Sequence, residues 1–147
     1  MTFQGEFHNT IDPKGRASIP ARFRELLAQQ GNECVVVTKN LEGGLTAYPA
    51  ARWQDLVQGV SQRPPSPEKD SAIRFFIAPA VDCVFDKQGR IQVPQSLRTY
   101  AALEKEVVIL GMFEKIEIYS QGRYEQVTNS SGDLLRSDAR IVAEMGF

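Results

Sequence analysis

Histidine is almost missing from this 147-residue chain: His8 stands alone, and Cys34 and Cys83 are the only cysteines. Three such residues so far apart give no metal-ligand spacing. No acid or nucleophile near His8 in sequence makes a catalytic triad recognisable, and a structural or surface histidine is expected. Both cysteines lie inside apolar, strand-like runs, so buried free thiols in a reducing cytoplasm are expected rather than a disulfide. Hydrophobic runs are short, and none nears the roughly 18 residues that span a bilayer. Met1 to Gly5 carries neither the basic start nor the apolar stretch of a signal peptide. A Gly-rich phosphate loop and a nucleophile elbow are also absent, and the carboxylates are scattered. The chain therefore reads as a non-enzyme without a metal, cofactor or evident small-molecule ligand, and without a membrane partner. Excess positive charge is missing too: the net charge of −1 argues against a protein that coats nucleic acid by general basicity.

What is present is a short element that occurs twice. Asp12-Pro13-Lys14-Gly15-Arg16 returns as Asp86-Lys87-Gln88-Gly89-Arg90. Asp opens a turn because its carboxylate accepts backbone N–H groups two residues on. Pro13 presets φ for the second turn position, and Gly15 and Gly89 supply the left-handed backbone that closes a type I turn with a bulge. Asp12, Gly15, Asp86 and Gly89 are thus the turn-organising residues. Each Arg leaves the turn on the outgoing strand, where a long cation can project past the tip.

The surroundings repeat as well. Ile11, Arg16, Ile19, Pro20, Phe23 and Arg24 recur 74 residues on as Phe85, Arg90, Val93, Pro94, Leu97 and Arg98. Further along, Tyr48, Arg52 and Trp53 recur as Tyr119, Arg123 and Tyr124, an offset of 71. A three-residue contraction is expected, most easily in the loop with Gly43 and Gly44. Two copies are too few for a solenoid, so the expectation is a pseudo-two-fold pair packed around one core. Residues 1–61 form the first repeat, 62–80 a linker with a short helix, 81–128 the second repeat and 129–147 a C-terminal helix.

Alternating apolar residues predict strands at Phe7–Ile11 and Ala17–Ile19, and β-branched runs predict them at Cys34–Thr38 and Leu45–Tyr48. Strands at Val81–Phe85, Ile91–Val93, Glu106–Met112 and Ile116–Tyr119 complete the second copy. Pro20, Pro49 and Pro94 suit first turns of helices, with Phe23, Leu26 and Leu27 inward in the first and Gly31 as its cap. Trp53 shares a helical face with Leu56, Val57 and Val60, which favours core or interface over a base-stacking platform. The proline-rich stretch 62–67 separates the halves, a helix is expected over Glu68–Ile77, and Asn129 to Gly132 is expected to break the pattern before the last helix. The fold class is α+β, mainly β.

Positive charge concentrates on the repeated element. Residues 12–24 hold Lys14, Arg16, Arg22 and Arg24 against one anion, and residues 86–98 hold Lys87, Arg90 and Arg98 against one. A hairpin tip fits a DNA major groove about 12 Å wide, where Arg bonds bidentately to guanine and Lys reaches a base edge or phosphate. Lys14, Arg16, Lys87 and Arg90 are the candidate DNA-contacting residues. Arg22 and Arg24 are candidates for phosphate contact, or equally for solvated surface charge.

Two Asp-x-x-x-Arg tips, each followed by a strand and a Pro-started helix, resemble the MraZ family. The run Phe7 to Arg16 with Ser18-Ile19-Pro20 carries the resemblance most specifically, and it extends from Phe3 to about Tyr124 and on to the final helix. It implies an AbrB-like, swapped-hairpin β-barrel with both halves supplied by one chain. It also implies a nucleoid-associated transcriptional regulator, typically repressing the division and cell-wall gene cluster that holds its own gene, and assembled as a ring-shaped homo-oligomer. Asp12 and Arg16, and Asp86 and Arg90, fall on the family's paired motifs. The position of Lys14 is neutral Gln88 in the second copy, so the first tip is expected to read promoter direct repeats and the second to be mainly structural. Two other readings stand beside this one. An AbrB-like barrel could bind a protein partner through the unmatched C-terminal helix, or a ring scaffold could bury Arg16 against neighbouring subunits.

Overall fold

The computed structural model describes residues 2–147. Among the described residues eight strands form: β1 (Glu6–Thr10), β2 (Arg16–Ser18), β3 (Cys34–Lys39), β4 (Leu45–Pro49), β5 (Val81–Val84), β6 (Arg90–Gln92), β7 (Glu106–Met112) and β8 (Lys115–Ser120). The helices are α1 (Ala21–Gln29), α2 (Ala50–Ser61), α3 (Pro67–Ala72), α4 (Gln95–Ala101), α5 (Gln121–Ser137) and α6 (Ala139–Glu144). The fold is mixed and mainly antiparallel β.

The strands do not pair as two separate hairpin units. β1 and β2 are joined by a bridge between Ile11 and Ala17 and by the Asn9 amide, which donates to the Ser18 carbonyl at 2.9 Å, but form no ladder with each other. β1 pairs with β7 of the other half, and β5 pairs with β3. The result is a six-stranded sheet in the order β1-β7-β8-β4-β3-β5, beside a two-stranded ribbon of β2 and β6. Two pairings relate equivalent strands and mark the pseudo-dyad. In the ribbon, Ala17 faces Ile91; in the sheet, Thr46 faces Glu117. Each half therefore completes the other, and neither could bury its apolar face alone.

Side chains on one sheet face, with α1, α4 and the ribbon, enclose the core. Phe23, Leu27, Val37, Ile91, Leu97, Ile109 and Ile118 are wholly or almost wholly inaccessible. Phe3 and Phe7 meet the Phe23 ring edge-on, with centroids 5.5 and 5.2 Å away. The opposite face, with Val36, Thr38, Tyr48 and Tyr119, is covered by α2, α5 and the segment after α3. Trp53 packs on Tyr48 there, its ring centroid 5.6 Å away, and is half-buried.

Three local expectations are corrected. The three-residue contraction is not chiefly in the Gly43–Gly44 loop. α1 ends in a Schellman motif, with Asn32 N–H on the Leu27 carbonyl and Gly31 N–H on Ala28. Leu103 and Ala102 repeat it on Arg98 and Thr99, so most of a turn is missing from α4. Secondly, the helix expected over Glu68–Ile77 changes pitch: Ile73–Ile77 is a π-helical turn. Widening the turn frees the Phe76 carbonyl to accept the Thr38 hydroxyl from β3.

Thirdly, Asn129 to Gly132 do not break the last helix, and the boundary at 128/129 falls inside the continuous α5. Ser120 caps its start by accepting Arg123 N–H, and Thr128 satisfies its hydroxyl on the Tyr124 carbonyl. The interruption comes at Asp138, which leaves helical geometry and caps α6 through Ile141 N–H. Leu134 and Leu135 stand exposed on α5, Ile141 on α6 and Met145 just beyond it. No described helix is long and apolar enough to cross a membrane.

Candidate nucleic-acid interface

Both tips adopt the turn that their sequence dictates. Gly15 N–H reaches the Asp12 carbonyl at 2.9 Å, and Gly89 N–H reaches the Asp86 carbonyl at 3.0 Å. Gly15 and Gly89 sit at φ +87° and +76°, the left-handed region that only glycine enters without strain. The Asp12 carboxylate accepts Lys14 N–H at 3.0 Å and Arg16 N–H at 2.9 Å. Asp86 does the same for Gln88 and Arg90, both at 2.9 Å.

The second carboxylate oxygen aims each arginine. Arg16 Nε donates to Asp12 Oδ2 at 2.6 Å, and Arg90 Nε to Asp86 Oδ2 at 2.9 Å. Backbone bonds from Arg16 and Arg90, with their guanidinium groups second, hold both carboxyls below the ordinary aspartate range. The aspartates stay ionised, and the tips keep their shape at any physiological pH. Engaging Nε leaves the terminal guanidinium nitrogens for an outside acceptor, the geometry that bidentate recognition of guanine uses.

The β2–β6 ribbon brings the two tips together. Arg90 Nη1 lies 3.9 Å from Asp12 Oδ2, so the two Asp–Arg pairs form one cluster. Within it, 36% of the Arg16 side chain is exposed against 26% for Arg90. Lys14, Lys87 and Gln88 are exposed at the turns.

Arg22 and Arg24 part company. Arg22 is exposed on α1, whereas Arg24 is half-buried and donates Nε to the Ile19 carbonyl at 3.0 Å. Its guanidinium lies against Gly89 of the other half's tip. His8, outside this cluster, faces Glu6 Oε1 at 3.0 Å on the surface. The geometry adds residues that sequence reasoning did not single out for the site, namely Gln92, Val93 and Arg98, all touching the first tip. The repeat of Arg24 as Arg98 signalled one of these; nothing in the sequence marks Gln92.

A family model described as "MraZ protein, putative antitoxin-like" matches residues 2–75 and again 76–142. The chain belongs to the MraZ family. The double match agrees with the two copies that the fold interleaves. Among MraZ relatives, a transcriptional regulator from Syntrophotalea carbinolica is 42% identical, with the whole of both chains covered. A second, from Pelotomaculum thermopropionicum, is 42% identical over 99% of this chain and 98% of its own. The transcriptional regulator MraZ of Pediococcus pentosaceus is 37% identical over 99% of each chain.

Proposed function

We propose that this MraZ-family chain, a transcriptional regulator and not an enzyme, binds DNA sequence-specifically through its paired tips. The observation that carries this reading is the ribbon-held cluster in which Asp12 and Asp86 aim Arg16 and Arg90 from one edge of the molecule. The first tip reads bases, with Arg16 on guanine and Lys14 on a base edge or phosphate. The second tip, with Gln88 where the first has Lys14, contributes a weaker contact through Arg90 and Lys87. Arg22 on α1 supplies phosphate contact.

A tip with two cations binds weakly by itself, because few phosphates are neutralised. The full reading is therefore a ring-shaped homo-oligomer that presents several tips to short direct repeats and so raises the effective concentration of each. Exposed Leu134, Leu135, Ile141 and Met145 support subunit contacts through α5 and α6. The swapped-hairpin barrel is part of this reading, supported by core residues that both halves supply between sheet and ribbon. Repression of the division and cell-wall cluster, including the protein's own gene, and association with the nucleoid complete it.

The test is fluorescence anisotropy against a duplex from the protein's own upstream region, with a shuffled duplex as control. Wild type should prefer the native duplex, lose affinity steeply with salt, and need more than one repeat. Arg16→Ala should cost about 10- to 100-fold and Arg90→Ala clearly less. Equal binding to native and shuffled duplexes would overturn the reading, and equal losses in the two variants would overturn the division of labour.

A further inference from the structure

The two tips are alike in their own bonds but not in how the opposite half holds them. Every backbone carbonyl along the first tip, from Pro13 to Gly15, is occupied from the second half. Arg98 Nη1 donates to the Pro13 carbonyl at 3.4 Å, Gln92 Nε2 to Lys14 at 3.3 Å, and Val93 N–H to Gly15 at 2.8 Å. Arg98 also donates Nε to the Val93 carbonyl at 3.0 Å and fills the space where a Gly15 Cβ would stand. The second tip receives Ile19 N–H on the Gly89 carbonyl at 3.1 Å and the Arg24 guanidinium against Gly89. Ser18, which stands where Gln92 does, cannot reach across as the longer amide does. Arg98 is thus tied up by backbone carbonyls, and it serves the tip of the half to which it does not belong.

We propose that Arg98 and Gln92 are positioning residues for the first tip: the second half acts as a clamp that holds Lys14 and Arg16 in reading geometry. This rests on the proposed DNA-binding reading and deepens it. The two copies are then specialised, one as reader and one as brace. Pre-ordering the loop lowers the entropy lost when it enters a groove, so the clamp acts on affinity without touching DNA. A guanidinium engaged in this way releases no counterion from the duplex, which separates it from a phosphate contact.

The experiment measures binding of the full chain to its upstream duplex across salt concentrations, for Arg98→Ala, Arg98→Lys and Gln92→Ala. Thermal melting of each variant reports folding. Both Arg98 variants should lose about five- to ten-fold in affinity, and Gln92→Ala somewhat less. The slope of log affinity on log salt should stay at the wild-type value. Arg98→Lys should fail to rescue, because an ammonium lacks the planar fork that spans two carbonyls. Combined with Arg16→Ala, the Arg98→Ala loss should largely vanish; combined with Arg90→Ala, it should add in full.

A slope shallower by about 0.9 in Arg98→Ala, with affinity retained in Arg98→Lys, would make Arg98 a phosphate contact and overturn the clamp. Unchanged affinity in folded variants would overturn it as well. Should Arg98→Ala not fold, Gln92→Ala decides alone, since that exposed side chain makes one bond to the tip. Loss of wild-type preference for the native duplex would instead strike the underlying DNA-binding reading.

Discussion

The first tip and the second make the same turn bonds, and each glycine lies under the equivalent arginine of the other half, yet only at the first is a backbone oxygen among the three nearest atoms. A Cβ at Gly15 would come within 2.7 Å of the Val93 carbonyl oxygen as well as 2.6 Å of Arg98 Nε. At Gly89 the three nearest atoms all belong to the Arg24 side chain. Backbone cannot yield cheaply, whereas a guanidinium can swing away at the cost of its bond to the Ile19 carbonyl. Duplication has therefore kept the local turn, which any Asp-x-x-Gly-Arg run can make, and let the bonds to its Pro13 and Lys14 carbonyls diverge from those at the second tip.

Alanine at these glycines is the strongest way to break that contrast. Both variants suffer the left-handed backbone, about 1–3 kcal/mol for a non-glycine residue. Gly15→Ala must also displace backbone, and its total should reach about 3–4 kcal/mol, near the top of the range for single substitutions. Gly89→Ala must push the Arg24 guanidinium off the Ile19 carbonyl, so its total should exceed the strain alone yet stay below that of Gly15→Ala. Urea unfolding of the two variants measures the difference, and equal losses would mean that the tips are packed equivalently.

The same divide governs what the sequence reveals. Turn chemistry, Pro-started helices and alternating strands are local, and the tips, α1, α2, α4 and the strands are legible from residues alone. The exchange of β1 onto β7 and β5 onto β3 is not, because apolar alternation names a strand's faces but not its partner. Asn129 to Gly132 read as a breaker by propensity, yet α5 runs through them, because propensity costs of at most about 1 kcal/mol per residue are a weak prior once a helix is started and packed on the sheet. Arg24 illustrates the limit at the site. Sequence places a cation near a helix start, and only the fold shows it spent on the Ile19 carbonyl and laid against Gly89.

The helix ends sharpen the comparison with a smaller effect. Gly31 and Ala102 hold equivalent Schellman positions, at φ +78° and +54°. Glycine is at ease there and alanine is strained. Nothing lies within 4 Å of a Cβ built on Gly31, so its replacement tests conformation alone. Gly31→Ala should destabilise by about 1 kcal/mol, and Ala102→Gly should stabilise by about 0.5–1 kcal/mol, part of the gain being offset by a freer unfolded chain. Opposite signs in thermal melting would support the equivalence; the same sign in both would refute it.

The smallest effect sits on the pseudo-dyad itself, where Thr46 faces Glu117. Thr46 accepts the Asn40 amide at 3.3 Å, and Glu117 accepts the Tyr119 hydroxyl at 3.0 Å. Burial raises the Glu117 carboxyl above its usual range, more than Tyr119 and Lys115 lower it, and Glu42 adds to the rise. The folded protein thus takes up a proton at Glu117 before the unfolded chain does. Above the folded pKa the ionised group costs stability; as pH falls through that value toward the unfolded one, near 4.5, the cost disappears. Asp12 and Asp86 run the other way: their contribution is whole above the unfolded value of 3.8 and is lost as pH falls from there through their depressed folded values. The windows do not overlap. Wild type should therefore gain stability relative to Glu117→Gln between neutral pH and about pH 5, while the variant, which keeps the acceptor for Tyr119, should melt slightly higher at neutral pH. The shift should be at most about 2–4 °C, the equivalent of 1 kcal/mol in a chain of this size. A variant that melts lower at neutral pH would show that the ionised carboxylate is needed on the dyad, and that the two halves differ there by selection for a charge rather than by tolerance of one.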